Sequence, residues 1–434
     1  MNNLTHIVKI LSIFFKKRDL NLKLLLSNYL KNNRNADSGK VTNSVYGIVR
    51  NELTLIYIIE KNSKQKFSSY TITTKILLLT GVYLLLFSSS YPDHAIVNEI
   101  VNAAKERKKS FINAILRSIA REKPDPMILK NRIKPLNIRF SGTSFYIKKV
   151  TEFQKDALPI LEYLDKEPVF HIKPNLGKIS YKSVSKILED AKIEFKEIKE
   201  LETFEIKKAG KVISDFVNKG IFYFQNSGSQ LVSIITAHFS EKKIIDCCSA
   251  PGTKSITLHF FKPEISIVAN DISLKRIKLM KNFMKSFDIS GISLVTSNIL
   301  ESYFSTIFDL YLIDAPCSSS GTIRKNPDLK LKFSKEKITQ NSKLQKAILE
   351  SIIGNAHKGS TIVYSVCSFV EDESEKVVED VLKTFKKRFF SILDIGDIAK
   401  KFGFKIDHGN YGIFLLPSDK LNNDLFYISV IKIL

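Results

Sequence analysis

From about residue 240 onward, short apolar runs alternate with amphipathic stretches, and this alternation restricts the fold more than any other feature of the chain. Lys243 to Cys247 precedes a helical pattern from Lys254. Ile265 to Asn270 precedes one from Leu274, and Ser293 to Thr296 follows. Leu310 to Asp314 precedes a helical pattern from Lys337, and Thr361 to Ser365 one from Glu373. Strand and helix in alternation predict a doubly wound, mainly parallel sheet. Gly412 to Leu416 and Leu425 to Lys432 suggest a closing hairpin.

The first part of the chain has a different period. Leu20 to Leu30, Val41 to Glu60, Thr74 to Phe87, Ala95 to Lys105 and Phe111 to Arg121 carry apolar residues at helical spacing, which predicts a helical bundle over residues 1–122. Lys123-Pro-Asp-Pro126 reads as a boundary. Residues 123–235 then hold a linker and a small α+β module, with strands at Val169 to Ile172 and Ile193 to Ile198 and helices at Tyr181 to Ala191 and Gln230 to His238. The third domain covers residues 236–434, and three domains suit a chain of 434 residues.

Charge points to a polyanionic partner. The net charge is +23, and residues 1–140 hold 24 Lys+Arg against 9 Asp+Glu. So basic a segment suits nucleic acid; the alternative is drift in a chain rich in Lys, Asn and Ile. Four cysteines, two of them adjacent, make no disulfide framework and match no zinc spacing, so a reducing compartment and no metal are expected. The N-terminus has no early basic region and no small-residue cleavage site. The longest apolar run, Ile76 to Phe87, is 12 residues, too short to span a bilayer. A cytoplasmic, monomeric protein without a membrane partner is expected.

Cys317 and Cys367 each close an apolar run, Phe308-Asp-Leu-Tyr-Leu-Ile-Asp-Ala-Pro-Cys317 and Ser360-Thr-Ile-Val-Tyr-Ser-Val-Cys367. Ligands of an open parallel sheet sit outside the carboxyl ends of its strands, so both thiols should face one crevice. There a thiolate can act as a nucleophile; the alternative is a pair of inert buried thiols. The turn in Ile245-Asp-Cys-Cys-Ser-Ala-Pro-Gly-Thr-Lys-Ser255 has neither the three-glycine fingerprint nor a P-loop. Without a pyrophosphate to hold, it suits an adenosyl ligand such as S-adenosylmethionine. Asp271 closes the second strand of this region, where an acid can accept from ribose hydroxyls or simply cap a helix.

Three stretches, DCCSAPGTKS, DAPCSSSGTIRKNPDLK and YSVCSFVEDES, resemble the RNA 5-methylcytosine methyltransferases of the Sun/NOP2 family, in the family's order. Residues 220–434 are similar throughout. Val45-Tyr-Gly-Ile-Val-Arg50, Pro92-Asp-His-Ala-Ile-Val-Asn-Glu99 and Phe111-Ile-Asn-Ala-Ile-Leu-Arg117 resemble the NusB-like RNA-binding domain. The combination resembles the bacterial 16S rRNA cytosine methyltransferases of the B type. The resemblance implies an α plus α/β multidomain chain: a NusB-like bundle, a small α+β RNA-binding module and a Rossmann-like methyltransferase domain that uses S-adenosylmethionine. It implies methylation of cytosine carbon 5 in 16S ribosomal RNA, naked or in an early particle. Cys367 would attack carbon 6, Cys317 would assist product release, and Asp314 would face the N3 side of the ring or the cofactor. The cofactor would contact Cys248, Ser249, Ala250, Pro251, Gly252, Thr253 and Lys254, with Asp271 on the ribose, Asn298 at the adenine and Asp314 near the methionyl end.

The chain departs from the family at three positions. Asn298 stands where a carboxylate is usual, Thr253 replaces a glycine, and Asn226 replaces an aspartate. An amino-group methyltransferase would carry Asp/Asn-Pro-Pro-aromatic where this chain has Asp314-Ala-Pro-Cys317. An RNA-binding ribosome-assembly factor with a decayed site is a second alternative, and action on another rRNA or a tRNA cytosine a third. A redox protein would favour Cys-x-x-Cys, which is absent.

Overall fold

The computed structural model describes residues 2–88, 91–301, 306–385 and 389–434. It has two compact units, Met1–Lys166 with Ile323–Ser334, and Glu167–Thr322 with Lys335–Leu434.

The first unit is helical, with no strand among its described residues. Its centre is the helix Ile72–Phe87, in which every residue from Ile76 to Leu86 is buried. A helix apolar on all sides belongs inside a protein core, and this one packs among Ile7, Ile48, Ile100, Ile112 and Leu116. No helix among the described residues is long and apolar enough to cross a membrane. The helical stretch expected over Val41 to Glu60 is two helices, Ser38–Arg50 and Glu52–Lys61. Asn51 makes the break: its side-chain amide donates to the Gly47 carbonyl at 2.8 Å, occupying an acceptor at the helix end. The helix Asn2–Lys16 was not anticipated; it buries Ile7, Ile10, Leu11 and Phe14.

Ile323–Ser334, which by sequence continues the Cys317 stretch, packs within this helical unit. The Arg50 guanidinium donates to the carbonyls of Arg324 at 2.7 Å and Lys166 at 3.1 Å. The buried Lys330 ammonium donates to the Phe140 carbonyl at 2.6 Å and to Asp165 at 3.1 Å. Burial pushes Lys330 down to about 8. Burial works to raise the Asp165 carboxyl, but Lys330 and Lys130 outweigh it and hold it below the usual range.

The second unit begins with β1 (Phe170–Pro174), β2 (Phe195–Ile198), β3 (Thr203–Ile206) and β4 (Phe222–Phe224), an antiparallel sheet in the order β2-β3-β1-β4. Helices Tyr181–Asp190 and Lys211–Asn218 cover one face through Val184, Leu188 and Ile213 against Ile172, Phe204 and Phe222. The other face is covered too. Ile198 and Tyr223 join the larger core, and Thr203 donates to Gln230 at 2.9 Å.

The larger sheet contains β5 (Lys243–Asp246), β6 (Ser266–Asn270), β7 (Ile292–Val295), β8 (Leu310–Asp314), β9 (Thr361–Val366), β10 (Phe390–Ile392), β11 (Ile406–His408), β12 (Ile413–Leu415) and β13 (Tyr427–Ile433). Its order is β11-β12-β13-β9-β8-β5-β6-β7, with β10 on β13. Strands β5 to β9 are parallel, and β13 runs antiparallel to β9. The expected closing hairpin is β12–β13. Strand order reverses at β5, which has β6 on one side and β8 on the other. Such a reversal opens a crevice at the carboxyl ends, so the residues that close β5, β6, β8 and β9 converge there.

Candidate active site

Strands β8 and β9 are neighbours in register, with Asp314 opposite Ser365. The chain beyond each strand end therefore starts from the same level of the sheet. Cys317 Sγ and Cys367 Sγ lie 3.4 Å apart. Both thiols are partly accessible. The loop after Cys317 is pinned at Gly321, whose N–H donates to the Cys367 carbonyl at 3.0 Å. A side chain there is excluded: a Cβ on Gly321 would lie 2.0 Å from the Leu425 carbonyl oxygen.

The two thiols differ in acidity. Cys367 is held below the ordinary thiol range, first by the hydrogen bond from Cys317 and further by Ser319, 3.5 Å away, and by Lys254, against burial and Asp314. Cys317 is pushed well up by its bond to Cys367, by burial and by the negative charge of its neighbours.

Asp314 faces this pair. Its carboxylate accepts from the Lys254 ammonium at 2.6 Å and from Ser365 Oγ at 3.2 Å. Lys254 is buried, which would lower it, but Asp314 reverses the effect and raises it. The Lys254 ammonium also lies 5.6 Å from the centre of the Phe426 ring. Lys254, expected at the cofactor, is an interior partner of Asp314.

The turn after β5 bends at Gly252, whose φ is +102° and whose Cβ would meet Met280 at 2.7 Å. Glycine is needed there. Thr253 is the first residue of the helix Thr253–Phe261, a right-handed position where threonine fits. Asp271 accepts from the Ala250 N–H at 3.3 Å and from the Ser273 N–H at 2.9 Å, and pairs with Arg276 at 3.0 Å. Arg276 also donates to the Ala250 carbonyl. Cys248, Ser249 and Pro251 complete the turn, and Ser249 is tied to β6 through its N–H to the Asn270 carbonyl at 2.8 Å. Asp246, beneath the turn, accepts from Ser255 at 2.6 Å, and burial pushes it up to about 7. Asn298 lies beyond β7, its amide donating to Glu301 at 2.7 Å and its oxygen accepting from the Leu300 N–H at 3.2 Å. Asn226 caps the helix Ser227–Phe239, accepting from Gly228 and Asp424 N–H groups.

Cys317, Cys367, Asp314 and Lys254 thus form one linked group, and Asp271 lies against the turn. Sequence reading missed Ser319, Ser365, Arg276, Phe426 and Glu373. Ser319 and Glu373 fall within stretches it singled out, but nothing local marks which serine or acid turns inward. Among the described residues no group of His, Cys, Asp or Glu could hold a metal ion.

Residues 233–432 match the 16S rRNA methyltransferase RsmB/F family, and residues 4–121 match the NusB family. The chain is 27% identical over 379 residues to the probable ribosomal RNA small subunit methyltransferase B of Bacillus subtilis (strain 168), covering 82% of each chain. In fold it is similar to the crystal structure of PH0851, with a TM-score of 0.77 and 20% identity over 99% of this chain and 98% of that one. It is also similar to NSun6 from Pyrococcus horikoshii with SFG, with a TM-score of 0.57 and 17% identity over 67% of this chain and 98% of that one.

Proposed function

We propose, from the match of residues 233–432 to the 16S rRNA methyltransferase RsmB/F family and of residues 4–121 to the NusB family, that this chain is an rRNA methyltransferase acting on carbon 5 of a 16S cytosine. The reaction runs through a covalent adduct on Cys367, with S-adenosylmethionine as methyl donor. The observation that carries this reading is the pair of thiols 3.4 Å apart with opposite acidities.

Carbon 5 of cytosine is too electron-poor to take a methyl group directly. Addition of the Cys367 thiolate to carbon 6 makes the ring an enamine and carbon 5 a nucleophile. The Lys254–Asp314 pair holds a proton for the N3 side of the ring, where negative charge develops. Once Cys367 has bonded to carbon 6 its sulfur is neutral. The bond and the charge that held Cys317 protonated are then gone, and Cys317 can ionise and serve the closing half. The carbon 5 proton passes to the Cys317 thiolate, the electron pair it leaves re-forms the carbon 5–carbon 6 double bond as the carbon 6–sulfur bond breaks, and Cys367 departs as thiolate.

The residues at the crevice fit the cofactor's chemistry. Asp271 offers a carboxylate for ribose hydroxyls, Lys254 a cation for a methionyl carboxylate, Asn298 an acceptor for an adenine amino group, and the turn from Cys248 to Thr253 its backbone. S-adenosylmethionine, when bound, supplies a methyl group on a sulfonium. Calorimetry on Asp271→Ala should show cofactor binding weakened by roughly 1–3 kcal/mol, the scale of a lost charged hydrogen bond. Unchanged affinity would remove Asp271 from the site.

Bisulfite sequencing of 16S RNA, before and after treatment with the protein and S-adenosylmethionine, tests the function as a whole. One protected cytosine is expected; protection of none, or of a cytosine in another RNA alone, would reject the reading. The basic helical unit is proposed to hold the RNA. Truncation would leave Ile323–Ser334 without its packing, so substitution is the cleaner test. Exchanging exposed Lys64, Lys66, Lys105 and Arg107 for Glu should flatten the slope of log affinity against log salt by about 0.7–0.9 for each phosphate no longer neutralised. An unaltered slope would mark the charge as compositional drift.

A further inference from the structure

The acid run Glu371-Asp372-Glu373 follows Cys367 at close range, and only its last member is fully buried. The Glu373 carboxylate receives four donors. Ser318 supplies two, its N–H at 2.7 Å and its hydroxyl at 2.5 Å. Ser368 donates at 2.7 Å and Asn341 at 2.8 Å. Ser318 directly follows Cys317, and Ser368 directly follows Cys367. One carboxylate therefore holds the residue next to each thiol. Glu373 is itself fixed to β9, because the buried Tyr364 hydroxyl donates to its carbonyl at 2.8 Å. A second tie runs beside it: Ser320 and Ser368 hydroxyls lie 2.9 Å apart, and the Phe369 N–H donates to Ser320 at 3.1 Å.

We propose that Glu373 is a positioning residue that sets the two thiols against each other by tying the loop after Cys317 to the loop after Cys367. A buried carboxylate left without donors is costly, and so are donors left without a carboxylate. The lowest-energy arrangement therefore brings both loops to Glu373 at once, and their sulfurs with them. The negative charge of Glu373 also raises Cys317. The proposal rests on the reading above only in taking this thiol pair as the reacting groups.

Its test reads geometry rather than turnover. Diamide oxidises two adjacent thiols: a sulfur–sulfur bond forms, and two hydrogens with their electrons pass to the nitrogen–nitrogen double bond of the reagent. The rate of the Cys317–Cys367 linkage is followed by mass spectrometry of the linked peptide in the full-length protein. Glu373→Ala should slow it by about tenfold or more. The double variant Ser318→Ala with Ser368→Ala, which leaves the buried carboxylate two donors, should slow it similarly if Glu373→Ala does not fold. Asn341→Ala removes a donor that lies on neither cysteine loop and should leave the rate within about twofold. Linkage at the wild-type rate in the folded Glu373 variant or the double serine variant overturns the proposal. Equal slowing by Asn341→Ala does so as well, since it would mean general loosening. If linkage slows as expected but the protein methylates no RNA, the positioning role stands and the functional reading falls.

Discussion

Cys367→Ala is expected to abolish RNA methylation and to leave no covalent RNA complex on a denaturing gel. Cys317→Ala should also lose turnover, yet accumulate a denaturant-resistant protein–RNA adduct when S-adenosylmethionine is present. The asymmetry follows from one thiol opening the proposed reaction and the other closing it. Cys367 is the sulfur held below the usual thiol range, and Cys317 is the one pushed above it. Removing Cys367 takes away the sulfur that would attack carbon 6. Removing Cys317 leaves a thiolate that can open the reaction but nothing to close it. Cys367 also loses its hydrogen-bond donor in that variant, so iodoacetamide labelling of Cys367 should need a higher pH than in the wild type. An adduct with Cys367→Ala and none with Cys317→Ala would reverse the roles. Full activity in both would discard covalent catalysis.

Asp314→Asn is expected to lower kcat by about 10²–10⁴-fold, the usual contribution of a positioned acid–base group. The amide keeps the shape of the carboxyl: its one oxygen can accept from Lys254 while its nitrogen donates to Ser365 Oγ, so the fold should survive. What disappears is the negative charge. Asp314 raises Cys367 while Lys254 lowers it, so with the lysine no longer neutralised Cys367 should ionise at lower pH. The variant should therefore be labelled at Cys367 by iodoacetamide further into the acid range, while turning over far more slowly. A structural defect would instead lower both. A kcat within a few-fold of wild type would remove Asp314 from the chemistry.

Much of the larger sheet was legible because β5, β6, β8 and β9 are interior parallel strands. Leu310, Tyr311, Leu312 and Ile313 are all buried, and a strand covered on both faces must be apolar along its length. The short strands were not legible. β3 was missed although it lies between its neighbours, because Thr203 and Glu205 leave only two apolar residues in its four. β10 and β11 have three residues each at or near the sheet edge, where periodicity has no length to develop. The helix break at Asn51 was hidden because apolar residues keep helical spacing on both sides of it.

The sequence alone determined the alternation of strand and helix, the helical character of the first 122 residues, and the closure of two apolar runs by cysteines. Each of these is a local pattern, set by which side chains must leave water within a few residues of one another. Tertiary structure alone decided that β8 lies beside β9, and so that Cys317 meets Cys367 at 3.4 Å. It also decided that Glu373, and not Glu371 or Asp372, turns inward, and that Ile323–Ser334 packs within the helical unit. Those outcomes depend on partners far away in the chain. A buried carboxylate or ammonium is tolerated only where the fold delivers its counter-groups, and no local pattern records that delivery.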